Sequence, residues 1–277
     1  MTYFATMNQP MISVVMPAYN CAPYLQEAMD SILSQTYTDF EFVIVNDGST
    51  DNTEAIILTY KDPRIVYVKN EKNMGLVYTL NRGIELSRGV YIARMDGDDI
   101  SLPDRFSKQI AFFNNTPHAA LLAGTIELIN EQGVFTGYWE EEKKKIDSAA
   151  IRSQLPHDNC IAHPTVMGRA ELFKKYGYST RQKNAEDYDL WLRLAADRVA
   201  IYKLDTPLVK HRILQSSFTR QRQKNIFWKN ASTKRIFVRG RFGHGGLNGF
   251  VFKTWFLSLV DSVKGLLKEI KKVFTRK

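Results

Sequence analysis

Short apolar segments alternate with amphipathic segments through the first 115 residues of this 277-residue chain. The apolar segments, such as FEFVIVN, are rich in valine and isoleucine, and each precedes a segment with helical spacing. The predicted strands lie near 11–20, 40–51, 64–70 and 90–96, and the predicted helices near 23–35, 53–60, 75–89 and 103–115. Alternation at this spacing is typical of βαβ units, in which helices cover a sheet of parallel strands. We therefore predict an α/β fold with a mostly parallel sheet flanked by helices.

Each of the four predicted strands ends in a polar segment: PAYN, NDGSTD, KNEKN and MDGDD. The carboxyl ends of parallel strands meet at one edge of a sheet, where ligands of open α/β folds bind. The last segment places Asp96, Asp98 and Asp99 within four positions. Such carboxylates repel one another unless a cation or solvent offsets the repulsion, and Mg²⁺ or Mn²⁺ prefers carboxylate oxygens. A divalent-metal site is one interpretation, and a solvated loop in which Asp99 caps the helix near Pro103 is the other.

A second acidic segment, AEDYDLWLRL, has the spacing of an amphipathic helix. Asp187 shares a helical face with Leu190 and Trp191, so its carboxylate is expected to point towards the core at the rim of a cleft. Desolvation there favours proton uptake, which suits a general base. The alternative is a structural carboxylate that caps the helix. Asp189 and Arg193 are predicted to form a surface salt bridge on another face.

The net charge of +9 is unevenly distributed along the chain. Residues 213–277 contain 15 lysines and arginines but only two acidic residues, a net of +13, so the first 212 residues carry −4. Within the basic region, apolar residues recur every three or four positions on one helical face: Phe252, Phe256, Leu259, Val263, Leu266, Ile270 and Val273. The lysines on the other side are Lys264, Lys268, Lys271 and Lys272.

A basic amphipathic helix with aromatic residues on its apolar face is typical of proteins that lie on an anionic membrane surface. The segment 252–274 carries too many charges to cross a bilayer. Two alternatives remain: the helix packs on the main domain, or its spacing forms a coiled-coil seam in a homo-oligomer. Nucleic acid is not predicted as a partner, because no recognised nucleic-acid-binding motif accompanies the basic residues.

Four segments, in this order, resemble the family 2 glycosyltransferases: VIVNDGSTDNT, YIARMDGDDISLPDRF, HPTVM and AEDYDLWLRL. The resemblance covers about residues 11–215 and is specific when the four are taken together. It implies a GT-A fold with a Rossmann-like sheet, and inverting transfer of a sugar from a nucleotide sugar. It also implies a catalytic domain over 1–215, with a nucleotide-binding half near 11–115 and an acceptor-side half near 116–215. A basic helical tail over 216–277 would follow.

The resemblance implies roles for single residues on the nucleotide side. The loop after the first strand would lie along uracil and ribose: Pro17, Ala18, Tyr19 and Asn20. Asp47 would accept a hydrogen bond from uracil N3–H, and Asn73 and Gly75 would flank the base. Asp96 would contact the ribose or the metal shell, and Asp98 would ligate a metal that bridges the two phosphates.

Further roles follow for the acceptor side and for one late histidine. By resemblance, Asp187 would be the general base, and Glu186 and His163 would line the acceptor side. His211 would reach the metal or the diphosphate, as a late histidine does in some relatives; a structural histidine is the alternative. One departure stands out, because many relatives carry a basic residue where this chain has Leu80.

These implications define the expected function. We expect an inverting glycosyltransferase that uses Mn²⁺ or Mg²⁺ and moves a hexose or N-acetylhexosamine from a UDP-sugar. The acceptor would be a saccharide or a lipid-linked saccharide in cell-surface polysaccharide or glycolipid biosynthesis. One alternative is a sugar-phosphate nucleotidyltransferase, although VVMPAYNCAPYL lacks the usual glycine-rich phosphate loop. The other is a non-catalytic glycan-binding or scaffold protein of the same fold.

The expected location is cytoplasmic, peripheral on the inner face of the plasma membrane. The first ten residues lack a basic segment followed by an apolar one, so no secretory signal is predicted. Cys21 and Cys160 lie far apart and show neither a metal-binding spacing nor a disulfide framework. A reducing compartment is the default for such a chain.

Overall fold

The computed structural model describes residues 9–139, 146–182, 185–214, 226–244 and 248–274. The charged run at 140–145 and part of the basic region, 215–225, lie outside the described residues. The strands are β1 Ile12–Ala18, β2 Phe40–Asn46, β3 Ile65–Lys69, β4 Tyr91–Arg94, β5 Ile100–Ser101, β6 Leu121–Ile129, β7 Phe135–Tyr138, β8 Met167–Arg169 and β9 Ile201–Arg212. The helices are α1 Ala22–Leu33, α2 Thr53–Thr59, α3 Leu76–Leu86, α4 Arg105–Asn115, α5 Ser148–Gln154, α6 Ala170–Tyr176, α7 Glu186–Ala196, α8 Ile226–His244 and α9 Gly249–Phe274. A 3₁₀ turn covers His163–Thr165.

Within the described residues, nine strands form one sheet in the order β3-β2-β1-β4-β8-β6-β9-β5, with β7 added beside β6. The strands β3, β2, β1 and β4 pair in parallel, and so do β6 and β9. The shorter pairings of β4 with β8, β8 with β6, β5 with β9 and β7 with β6 are antiparallel. The predicted α/β fold with a mostly parallel sheet is confirmed.

Two apolar cores lie on opposite faces of this sheet. Successive residues of a strand point to opposite faces, so Val15 joins one core while Val14 and Met16 join the other. The same alternation separates Val43 from Ile44 in β2. Helices α1, α2 and α4 cover one face, and α3, α6 and α7 cover the other. Burial on both faces explains why the strands read as continuous apolar segments.

The pairing of β5 with β9 brings two distant parts of the chain to the carboxyl edge of β4. Ile100 lies opposite Lys210, and Ser101 lies opposite Val209. Asp99 at the start of β5 and His211 near the end of β9 therefore become neighbours. This short antiparallel pair closes one side of the acidic cluster that follows β4.

The helices α8 and α9 form an antiparallel hairpin that packs on α7. Lys234 Nζ donates to Asp261 Oδ2 at 2.6 Å, and Trp228 Nε1 donates to Glu269 Oε1 at 2.9 Å. Four buried residues of the hairpin belong to the same core as α7: Phe237, Val238, Phe250 and Val251. Among the described residues, no helix has both the length and the hydropathy that crossing a bilayer requires.

Candidate active site

The predicted nucleotide-side residues all lie at the carboxyl edge of β1, β2 and β4 or in the loop before α3: Pro17, Ala18, Tyr19, Asn20, Asp47, Asn73, Gly75 and Asp96. Asn20 has a φ of 48°, in the left-handed region that asparagine tolerates. Its Oδ1 accepts from the Thr50 N–H at 2.9 Å, and its own N–H donates to Ser49 Oγ at 3.1 Å. The loops after β1 and β2 are thus hydrogen-bonded to each other, and Tyr19 stands exposed beside them.

Asp47, directly after β2, organises the loop that precedes α3. Its Oδ1 accepts from Asn70 Nδ2 at 2.7 Å and from the Met74 N–H at 2.8 Å. Its Oδ2 accepts from the Gly75 N–H at 2.9 Å. A carboxylate has about four acceptor positions, so these three bonds leave room for one more. The hydrogen bond from uracil stays a prediction, and the structure adds that Asp47 positions the loop containing Asn73.

Close contact between the two loops requires glycine at one position. Gly48 has a φ of 66°, where side chains are strained. A Cβ atom there would come within 2.5 Å of the Lys72 backbone and 2.8 Å of the Asn73 backbone. Glycine is therefore required in the DGS segment because the loop that Asp47 holds leaves no room for a side chain.

The three aspartates after β4 converge. One ligand atom from each of Asp96, Asp98 and Asp99 lies within 4.8 Å of the others. Burial raises the pKa of Asp98 to about 7, and Asp99 and Asp96 add to the rise. Burial also raises the pKa of Asp96, although Arg94 opposes that effect. Carboxylates that resist joint ionisation and offer hard oxygen donors fit a divalent cation.

Asp99 is fully buried and holds His211. His211 Nδ1 lies 3.0 Å from both carboxylate oxygens of Asp99. Burial alone would lower the pKa of His211, but Asp99, with Asp96 and Asp98, raises it to about 9. A carboxylate that engages one ring nitrogen of a histidine orients the ring and leaves the other nitrogen for a ligand. The structure brings His211 to the cluster, as the resemblance implied; its role as a metal ligand stays a prediction.

The alternative in which Asp99 caps the helix near Pro103 is wrong. The helix α4 begins at Arg105 and has no side-chain cap. Asp99 Oδ1 instead accepts from the Arg212 N–H at 2.9 Å, and Arg212 Nε donates to the Asp98 carbonyl oxygen at 3.0 Å. Both bonds cross from the acidic loop to the end of β9, so they depend on the tertiary fold.

Arg94, the last residue of β4, is a site residue that sequence reasoning missed. It is buried, and its guanidinium pairs with the Asp96 carboxylate. Leu80, which stands where many relatives carry a basic residue, is also buried and lines the same small cavity as Arg94. The positive charge thus reaches the acidic cluster from β4 and not from α3. The available signal was one arginine inside the otherwise apolar segment YIARM.

Asp187 lies in the first turn of α7 and is partly buried. Its Oδ2 accepts from Asn159 Nδ2 at 2.9 Å. It does not cap the helix, because the N-cap position is Ala185. The neighbouring Glu186 is buried. The hydrogen bond from Asn159 fixes the orientation of the Asp187 carboxylate.

The predicted surface salt bridge between Asp189 and Arg193 is not on the surface. Asp189 is 2% exposed, and its Oδ2 accepts from Arg193 Nε at 2.8 Å. Arg193 also donates to the carbonyl oxygens of Tyr176 and Gly177, at 2.8 Å and 2.7 Å. The prediction was wrong because α7 is covered on nearly all sides, so its second face packs against the end of α6.

His163 and Tyr178 form a buried pair. His163 Nε2 lies 2.7 Å from the Tyr178 hydroxyl oxygen. Burial, with a contribution from Arg94, lowers the pKa of His163 well below its usual value. Burial raises the pKa of Tyr178; Arg94 opposes the rise, and Asp187 and Asp96 add to it. Tyr178 therefore lies within electrostatic range of both carboxylate sites, and no motif in the sequence singled it out.

Comparison with known proteins identifies the class. Residues 13–177 match glycosyl transferase family 2, so the chain belongs to this family and is a glycosyltransferase. A glycosyltransferase of Methanocaldococcus jannaschii is 32% identical over 268 residues, which cover 92% of this chain and 88% of the relative. The O-antigen biosynthesis glycosyltransferase WbnJ of Escherichia coli is 37% identical over 187 residues, which cover 66% of this chain and 71% of the relative.

Solved structures confirm the GT-A fold. S. aureus TarS in complex with UDP-GlcNAc aligns with a TM-score of 0.70 at 20% identity, over 90% of this chain and 72% of that chain. The mannosyltransferase PcManGT from Pyrobaculum calidifontis, in complex with GDP-Man and Mn²⁺, aligns with a TM-score of 0.64 at 16% identity, over 94% and 75%. At these identities the likeness concerns the fold.

Proposed function

We propose that this protein transfers a hexose or N-acetylhexosamine from a UDP-sugar to a saccharide or lipid-linked acceptor, with inversion at the anomeric carbon. One observation carries the proposal: three aspartates converge after β4, and a separate carboxylate, Asp187, is held by Asn159 in the first turn of α7. An inverting transfer needs two such groups, one for the leaving diphosphate and one for the acceptor. The O-antigen role of WbnJ supports a place in cell-surface polysaccharide biosynthesis.

On the donor side, the loops after β1 and β2 would receive the nucleoside. Asn20 and Asp47 already fix these loops through bonds to neighbouring backbone groups. The complex of TarS with UDP-GlcNAc supports a UDP-sugar for this fold, and the complex of PcManGT with GDP-Man makes GDP-sugars the comparison to test.

The acidic cluster fits Mn²⁺ or Mg²⁺. Asp96, Asp98 and Asp99 supply oxygen donors, and His211 would add a nitrogen donor. When bound, the cation stabilises the negative charge that develops on the departing diphosphate, an effect worth several kcal/mol. Arg94 holds Asp96 by an ion pair, so the cluster keeps its arrangement before the donor arrives.

On the acceptor side, Asp187 would act as the general base. Asn159 holds Oδ2, and the other carboxylate oxygen would take the proton from the acceptor hydroxyl. That hydroxyl oxygen attacks the anomeric carbon from the face opposite UDP, the bond to UDP breaks, and the configuration inverts. Glu186 beside it would help to line the acceptor cleft. His163 is buried and bonded to Tyr178, so we assign it to the support of the site.

The substitution Asp187→Asn tests the proposal. It keeps the side-chain shape and removes the basic oxygen, so we expect transfer to fall by roughly 10²–10⁴-fold. Affinity for UDP with Mn²⁺, measured by isothermal titration, should stay unchanged. Asp205→Asn is the matched control, because Asp205 is exposed on β9. Near-normal transfer by Asp187→Asn would remove this residue from the mechanism.

A panel of UDP- and GDP-sugars, assayed for slow hydrolysis without an acceptor, identifies the donor. Release of free sugar from a UDP-sugar, dependent on Mn²⁺ or Mg²⁺, is the expected result. Release from GDP-sugars alone would contradict the proposed donor. Absence of both release and transfer would favour the scaffold alternative. We also propose that the protein acts at the cytoplasmic face of the plasma membrane.

A further inference from the structure

The outer face of α9 exposes a long row of apolar side chains. Eight residues lie within about a third of the helix circumference and run over most of its length. They are Phe252, Trp255, Phe256, Leu259, Val263, Leu266, Leu267 and Ile270, each between 41% and 64% exposed. We call this set the α9 apolar face. It contains six of the seven apolar positions that the sequence predicted for one helical face, and the side chain of the seventh, Val273, lies outside the described residues.

The helix is fixed in the structure by its opposite face. Thr254, Ser258 and Asp261 are small or polar, yet each is at most 6% exposed because they pack against α8. Asp261 accepts from the fully buried Lys234 at 2.6 Å. The start of α9 does pack on the main domain through Phe250 and Val251, but the predicted apolar stripe takes no part in that contact. The α9 apolar face points outward because the opposite face of the helix makes the contacts with α8.

A row of lysines borders the α9 apolar face. At 100° per residue, Lys253, Lys264 and Lys271 project in nearly the same direction, next to Phe256 and Leu267. All three lysines are exposed. An apolar strip bordered by positive charge matches the boundary between acyl chains and anionic headgroups. A protein partner of the same shape would need an acidic rim, whereas an anionic bilayer has this charge everywhere on its surface.

We propose that the α9 apolar face docks on an anionic lipid bilayer, with α9 lying in the plane of the interface. The aromatic side chains Phe252, Trp255 and Phe256 lie near the start of the helix and have the chemistry of residues at the boundary between headgroups and acyl chains. The three lysines would contact the phosphate groups. Docking would use the hairpin as it stands in the structure and requires no unfolding.

Docking would also hold the acceptor side of the site at a set distance from the lipid, because the hairpin is bonded to it. Lys234, on the inner side of the hairpin, donates to the His157 carbonyl oxygen at 2.8 Å. Asn230 Nδ2 donates to Asp158 at 3.0 Å, and the next residue, Asn159, donates to Asp187. The hairpin and the carboxylate proposed as the base are thus connected by a few bonds. This consequence rests on the proposed function and favours a lipid-linked acceptor, whereas the docking itself does not depend on activity.

Flotation of the full chain with vesicles tests the docking without any donor sugar. One vesicle is phosphatidylcholine, and the other contains equal parts of phosphatidylcholine and phosphatidylglycerol. Val263→Asp should weaken binding to the anionic vesicles roughly tenfold, because a carboxylate would enter the apolar layer. Val134→Asp is the matched control, since Val134 is 59% exposed and Val263 is 57% exposed. Equal binding by the two variants would overturn the proposal.

Charge is tested by replacing Lys253, Lys264 and Lys271 with glutamine together. This variant should bind the anionic vesicles no better than phosphatidylcholine vesicles, and it should bind phosphatidylcholine as the wild type does. Replacement of the exposed Lys61, Lys174 and Lys175 with glutamine is the control and should have no effect beyond that of net charge. Sedimentation velocity tests the other possible occupant of the α9 apolar face, which is a second copy of the chain. A dimer that Val263→Asp converts to a monomer, with no vesicle binding by the wild type, would overturn the proposal.

Discussion

A single buried arginine determines how three aspartates can share one loop. Arg94 pairs with Asp96, while Asp98 and Asp99 approach the same point. Without a positive partner, Asp96 would have to take up a proton or expose itself to water. Leu80 lines the cavity beside the guanidinium, so the interior side of Arg94 is apolar. Before any cation binds, Arg94 of β4 therefore holds Asp96, while His211 and the Arg212 N–H hold Asp99.

Replacement of Arg94 tests this account. We expect Arg94→Leu to lower the free energy of unfolding by about 3–5 kcal/mol, because it leaves Asp96 without a counter-charge in a buried site. Urea unfolding measures the effect. Lys108→Leu removes an exposed ion pair with Asp104 and should cost at most about 1 kcal/mol. The free energy of unfolding should partly recover when Leu80→Arg is added to Arg94→Leu. Such a recovery would show that the effect comes from the loss of a positive charge in this cavity.

The raised pKa of Asp98, about 7, predicts a pH dependence of metal binding. Below that pH the folded protein holds a proton that the unfolded chain has already released, so apo stability falls as the pH rises towards 8. A cation removes this penalty, and at low pH it must displace the proton. Mn²⁺ should therefore raise Tm more at about pH 8 than at about pH 6. Asp98→Asn should abolish the difference, and equal increments in the wild type would contradict the assignment.

Among the elements, the helices α8 and α9 are joined to each other by a buried ion pair, and its lysine also bonds to the segment before α7. Lys234 is fully buried and donates both to Asp261 and to the His157 carbonyl oxygen. Burial lowers the pKa of Lys234, and Asp261 opposes this effect. The pair therefore locks two helices and the segment that leads to Asn159. A loss of the pair should reach the site through that segment.

A double-mutant cycle tests this role of the hairpin. We expect Asp261→Ala to lower the free energy of unfolding by about 3–5 kcal/mol, because it leaves a buried ammonium group unpaired. Transfer activity should also fall as Asn159 loses its support. Adding Lys234→Met should recover most of the stability without recovering activity. The control Asp104→Ala disrupts an exposed pair and should change stability by at most about 1 kcal/mol.

At the scale of the whole molecule, charge is separated along the chain. The first 212 residues carry a net −4 and the remaining residues a net +13. An anionic surface would attract the C-terminal part and repel the part that holds the site. This separation would orient the molecule, with α9 towards the membrane, before any apolar contact forms.

Salt should therefore weaken the contribution of the lysine charges to docking and leave the contribution of the apolar side chains. Raising NaCl from about 0.1 M to about 1 M shortens the Debye length from about 10 Å to about 3 Å. We expect binding to phosphatidylglycerol vesicles to weaken to the level seen with phosphatidylcholine alone, because the apolar contribution remains. Flotation at the two salt concentrations measures this. Binding that is unchanged by salt would show that the lysines contribute nothing.

Much of the fold and part of the site followed from local patterns in the sequence. The alternation of apolar and amphipathic segments predicted the parallel strands and their helices, because the period of the apolar residues distinguishes a strand from a helix. The same reading placed Asp96 and Asp98 after β4 and Asp187 on the helix α7. The strand before the two aspartates was predicted near 90–96 and observed at Tyr91–Arg94.

Only the tertiary structure decided which distant residues meet. His211 and Asp99 are 112 positions apart and become neighbours through the pairing of β5 with β9. The burial of Asp189, the place of Arg94 beside Leu80, and the outward direction of the α9 apolar face depend on what packs against each helix or strand. A local pattern gives the period of a segment, but the neighbour that covers each face is set by strand order and chain topology.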